Sequence, residues 1–118
     1  MNRGERGAAM VWSLALVTLL LVFGLAAAAV GALAVARQRA ATVADVAAVT
    51  GAQALVDPCT EATEIVEANA MVVVACGFDG ADVVVDVSTP APPVVHRLLA
   101  LLGRGVPEVR ASARAGPP

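Results

Sequence analysis

The chain has 118 residues, a formal net charge of −2, a mean hydropathy of +0.78 and 58% hydrophobic residues, with no Tyr and no Lys. The length allows one small domain beside any membrane segment. From Ala40 onward nine acids stand against four Arg, a balance of 4 − 9 = −5, which argues against binding nucleic acid or anionic lipid through that domain and fits solubility.

Residues 1–7 form a short leader with Arg3 and Arg6. Ala8 to Ala36 then gives 29 consecutive positions without a charge, whose polar side chains are Ser13, Thr18 and the indole of Trp12. A hydrocarbon core needs about 20 helical residues, so this run is long enough to span a bilayer with some tilt. Two alternatives exist. Ala34-Val35-Ala36 before Arg37 fits a secretory cleavage site, although the apolar run exceeds the roughly 7–15 residues of a signal core. A buried helix of a soluble protein would need more than the remaining 82 residues to wrap a helix that is apolar on every face. Gly24, Ala28, Ala32 and Ala36 recur every four residues, the small-xxx-small spacing that lets two membrane helices approach closely. An Ala-rich helix gives such a ladder in nearly any register.

Orientation follows from two signals. Arg3 and Arg6 on one flank balance Arg37 and Arg39 on the other, and the α-amino group tips the count toward a cytoplasmic N-terminus. Cys59 and Cys76 both lie beyond the apolar run, and a cysteine pair in a small domain outside the cytoplasm reads as a disulfide. Two unrelated buried thiols are the alternative. Two Cys and the distant His96 do not supply a zinc ligand set.

The helix continues past the membrane through residues 37–56, with Val43, Val46, Val49 and Val56 as a weak apolar stripe and Gly51 as a modest cost. Asp57-Pro58 is an N-cap followed by proline at the first helical position, so 58–69 is a second helix with Ala62, Ile65 and Val66 on its apolar face, extending to Asn69. Residues 71–89 read as a β-hairpin turning at Asp79-Gly80, with Val83, Val85 and Val87 on one face and Asp82, Val84, Asp86 and Ser88 on the other. Val94 to Leu102 is a short helix or a loop closing over the core, and Gly103–Pro107 is a turn. Residues 108–115 alternate as a third strand, which sets Arg110 and Arg114 near Asp82 and Asp86. The fold class is therefore α+β: a long N-terminal transmembrane helix continuing into a small pilin-like domain, with a short helix and a three-stranded antiparallel sheet, outside the cytoplasm.

No catalytic or cofactor set is legible. His96 has apolar neighbours and Arg97. Ser13, Ser88 and Ser112 lack a base at recognisable spacing, and Gly103-Arg-Gly105 lacks the Lys and Ser/Thr of a phosphate loop. Asp82 and Asp86 share a strand face but offer too few oxygens for Ca²⁺.

The N-terminal layout, Arg6-Gly7-Ala8-Ala9-Met10-Val11-Trp12, resembles the TadE-like family of the tight-adherence (Flp-type) pilus and secretion system. The remainder is similar to an actinobacterial branch of that family whose genes often lie near a helicase and Tad secretion genes. The matching stretches are Ala36-Arg-Gln-Arg39, Ala44-Asp45-Val-Ala47, Asp57-Pro-Cys59, Ala68-Asn-Ala70, Cys76 before Gly80-Ala-Asp-Val83, and Ala111-Ser-Ala-Arg-Ala-Gly-Pro117. The resemblance implies a pseudopilin cut between Gly7 and Ala8 by a prepilin peptidase, packing of its helix with other pilin-like subunits in the membrane, and no enzyme activity, cofactor or nucleic-acid role. This chain departs at the fifth mature position, where the family usually carries Glu and Trp12 stands here. That departure leaves a membrane-anchored binding module, outside any filament, as the competing function.

Overall fold

The structure, a computed structural model, describes residues 2–105 and 107–117. Met1 of the leader, Val106 of the expected turn and the terminal Pro118 lie outside the described residues. The elements in chain order are α1 (Arg3–Gln53), α2 (Pro58–Ala68), β1 (Val72–Asp79), β2 (Asp82–Pro90), α3 (Pro93–Leu101) and β3 (Glu108–Ala115). This is the expected α+β arrangement. The chain divides into two compact units, one ending at Gly31 and one beginning at Ala32.

α1 starts five residues earlier than the apolar run. Asn2 caps it, and Glu5 accepts a hydrogen bond from the Asn2 backbone N–H at 3.0 Å, one half of a capping box. It ends at Gln53, three residues before the expected Val56. Its buried residues in the second unit are Ala40, Val43, Ala44, Ala47, Ala48 and Gly51, recurring every three or four positions. This corrects the valine stripe. Val46 and Val49 are about half exposed (48% and 49%), and Val56 lies beyond the helix at 96%. Small side chains face the core because the neighbouring backbone comes so close. A Cβ at Gly51 would sit 2.8 Å from the Pro58 carbonyl oxygen and 3.4 Å from Val83 Cγ1. Gly51 is therefore a requirement of packing and not merely a cost to the helix.

α2 begins as its sequence dictates. The Asp57 carboxylate accepts from the Cys59 N–H (3.1 Å), the Thr60 N–H (3.4 Å) and the Thr60 hydroxyl (2.7 Å). The Thr60 hydroxyl is the main reason that its pKa lies below the ordinary carboxylate value. Ala62 and Val66 are buried and Ile65 partly so, while Asn69 is the exposed C-cap. The end is a Schellman motif: Ala70 N–H donates to Glu67 O (2.9 Å) and Met71 N–H to Val66 O (3.1 Å). Ala70 holds the left-handed position at φ 57°, where glycine is usual. α3 closes by the same pair of bonds, Gly103 N–H to Ala100 O and Arg104 N–H to Leu99 O, with Gly103 at φ 68°.

The strands form one antiparallel sheet in the order β1-β2-β3. Asp79 pairs with Asp82, so the turn residues are Gly80-Ala81, one position later than expected. Gly80 alone has positive φ there (66°), the pattern of a type II′ turn and not of type I′. Val83, Val85 and Val87 are buried against the α1 stripe, α2, Val109 and Ala113. Ser88, expected on the open face, is buried and donates to Glu108 (3.1 Å). Arg114 does meet Asp82, and also Asp79 at 2.8 Å, so it offsets two like charges that the register sets opposite each other. Those carboxylates raise the Arg114 pKa. Arg110 does not reach Asp86: the register places Ser112 opposite Asp86, and Glu108 takes Arg110 at 3.6 Å.

Candidate functional site

The segment with functional character is the first part of α1. From Met10 to Val30 every Val, Leu, Met, Phe and Trp side chain is exposed. The most apolar 18-residue window of α1 has none of its residues buried in the fold, whereas a core helix of a soluble protein would be mostly covered. The two hydroxyls are satisfied inside the helix: Ser13 donates to Ala9 O and Thr18 to Leu14 O, both at 2.9 Å. An uncharged helix with its backbone and hydroxyls bonded internally is compatible with hydrocarbon. α1 is long and apolar enough to span a membrane, which is consistent with a single-pass anchor.

Gly7 and Ala8, the expected processing pair, lie inside α1 and are exposed. A Cβ at Gly7 would meet nothing within 4 Å, so the fold places no size limit there. Gly4 and Gly7 each weaken the helix by about 1 kcal/mol relative to Ala, which favours fraying of this end. Of the helix-packing residues, Gly24 and Ala28 are exposed, with open space around Gly24. Ala32 is half-buried, and Ala36 already packs against the core of the second unit. The ladder is thus split between open positions and positions used within the chain.

Cys59 and Cys76 form a disulfide with Cα atoms 5.8 Å apart. It joins the first turn of α2 to the middle of β1, closing a loop over 17 positions. No free cysteine remains among the described residues.

Among the described residues no group of three His, Cys, Asp or Glu side chains comes together to hold a metal ion. His96 is exposed on α3. The Ser88 hydroxyl is engaged by Glu108, and Ser112 lies on the exposed face of β3. Sequence reasoning missed two features. The Asn2-to-Glu5 spacing was visible as a capping signal. Leu101 and Leu102, expected in a short helix or loop closing over the core, stand 84% and 72% exposed. Comparisons of the chain with protein-family models, characterised proteins and solved structures give no match.

Proposed function

We propose that this protein is a non-enzymatic, minor pseudopilin-like component of a Tad/Flp-type pilus or secretion assembly in the cell envelope. The observation that carries the reading is the division within α1. One part offers an apolar surface with no partner among the described residues, and the other part is the spine of a small α+β unit. A pilin-like subunit needs both: a lipid-soluble helix end for lateral packing with other subunits, and a folded domain to meet partners. Gly24, Ala28 and Ala32 supply the small surface for such packing. The disulfide supports a domain outside the reducing cytoplasm, with the N-terminus inside. The open space at Gly7 supports processing, because a need for a small residue there would come from a prepilin-type peptidase and not from the fold.

Trp12 favours a second reading, a single-pass anchored extracytoplasmic binding module that enters no filament. A photocrosslinker in place of Leu21, in the native host membrane, separates the two. Crosslinks to other short chains with apolar N-terminal helices support the assembly; adducts with lipid alone support the module. For orientation, a cysteine placed at the exposed Leu55 is labelled by an impermeant maleimide on intact cells. Labelling only after lysis contradicts the proposed topology.

A further inference from the structure

We infer that the second unit carries a surface for a second copy of this chain. The uncovered end of α3 in one copy, Leu101 and Leu102 with Arg97 and Arg104, docks on the outer face of α2 in the next, against Glu64 and Glu67. The inference goes beyond the assembly reading, which names neither surface, and both surfaces belong to the unit that begins at Ala32.

Charge is distributed unevenly along this unit. From Ala40 to Asp86 there are eight acids and no Arg; from Val87 onward there are four Arg and one acid, Glu108. Folding brings part of this together. Arg114 meets Asp79 and Asp82, and Arg110 meets Glu108. Among the described residues Glu61, Glu64 and Glu67 of α2 enter no ion pair, and neither do Arg97 of α3 and Arg104 just beyond it. All five are exposed. Among the described residues α3 makes no close backbone approach to α2. The unmatched charge is thus sorted by sign onto two separate elements, negative on α2 and positive on α3 with the turn that follows it.

The two faces also match in polarity. α3 is fastened by Val95, its one buried residue. Arg97 and Leu101 are four residues apart and so share one side of the helix, and Leu101 and Leu102 are left uncovered. The Arg104 N–H donates to Leu99 O, which folds the turn back onto the helix end. On α2, Thr60, Thr63, Glu64 and Glu67 recur at three- and four-residue steps, away from the buried Ala62 and Val66, and with Cys59 they line a shallow groove. That groove offers threonine methyls and the Cys59 sulfur to leucine, and two carboxylates to arginine. An exposed apolar pair rimmed by charge marks a contact surface, and faces of opposite sign steer encounter and fix orientation. α2 against α2 would set Glu against Glu. The contact is therefore heterologous, α3 of one copy on α2 of the next.

The chain has no Lys, which makes the contact addressable. Full-length chain carrying Arg104→Lys is purified in detergent micelles as an equal mixture of unlabelled and nitrogen-15-labelled protein. It is treated with a carbodiimide, which joins an amine to a carboxylate in direct contact; the unsubstituted chain, whose amine is the N-terminus, is the control. The expected product is a peptide pair of mixed isotope that links position 104 to Glu64 or Glu67. Adding Arg97→Glu and Leu101→Ser, both at exposed positions, should lower its yield several-fold. Linked pairs of a single isotope only, mixed pairs at acids outside α2, no linked pair, or a yield unmoved by the added substitutions would each overturn the inference. In native host membranes, linkage of position 104 to a different protein and not to α2 overturns it as well. The assembly reading is tested through Leu21, so the two fail independently. An intact disulfide by non-reducing mass measurement verifies that each variant is folded, and Arg97→Lys, with Leu101→Ser as its added substitution, replaces Arg104→Lys if that variant fails.

Discussion

Between Met10 and Val30 of α1, large apolar side chains stand exposed on every face; between Ala40 and Gly51, the covered face is almost wholly Ala and Gly. Both stretches belong to one uninterrupted helix of similar composition. In the first, no described residue covers the large side chains, so apolar character is what makes the stretch suitable for spanning a membrane. In the second, size matters more than apolar character, because the facing partner is the fixed backbone and side chains of α2 and the sheet. Val46 and Val49, more apolar than their alanine neighbours, are left half exposed for that reason. The two parts should therefore respond to different kinds of substitution.

The largest effect expected is from a charge. Leu20→Arg places a cation near the centre of the apolar run and costs about 3 kcal/mol in insertion, enough to move most of the chain out of the membrane fraction on cell fractionation. Glu64→Arg, on the exposed face of α2, should leave that distribution unchanged. A chain retained in the membrane despite Leu20→Arg would break the contrast.

Next comes the covalent tie. Replacing Cys59 and Cys76 together by Ala should lower the stability of the second unit by about 3 kcal/mol, read from chemical denaturation in detergent micelles, without changing membrane retention. The unit depends on this bond because its core is built largely from Val and Ala.

The same substitution at two places on one helix then sharpens the comparison. Gly51→Ala should destabilise by about 1–2 kcal/mol, since the clash with the Pro58 carbonyl exceeds the gain in helix propensity. Gly24→Ala, with open space around it, should leave the unfolding midpoint of the second unit unchanged.

Smaller still are the two helix ends that share a motif but differ in residue. Ala70→Gly should stabilise by about 0.5–1 kcal/mol and Gly103→Ala should destabilise by a similar amount, because both positions hold the left-handed conformation. The cap of α2 gives the smallest effect. The Asp57 pKa is lowered in the folded chain, so its contribution is present above the unfolded carboxylate value and is lost as pH falls through the folded one. Over that acid window, first-turn amides of α2 should lose hydrogen-exchange protection before those of α3, which has no side-chain cap.

Local patterns were read well from sequence. Asp57-Pro58 marked the start of α2, strand alternation marked the sheet, and the two cysteines marked the disulfide. What failed was what depends on distance between elements. Apolar periodicity ranked Val above Ala, so it chose Val46 and Val49 and could not see that Gly51 meets a carbonyl. The one-residue shift of the turn to Gly80-Ala81 depends on the pairing of Asp79 with Asp82, and the partner of Arg110 depends on the same ladder register. The left-handed Ala70 carried no signal, because the residue usual at that position is glycine. The processing pair at Gly7 and Ala8 was legible only through a resemblance, since Gly7 has open space around it and Ala8 is exposed.

The central claim is that the apolar part of α1 stays on the mature chain as an anchor while the leader is removed. Intact mass and N-terminal sequencing of the protein from its native membrane fraction test it most directly. The account predicts a membrane-bound chain beginning at Ala8. A soluble chain beginning at Arg37 would contradict it.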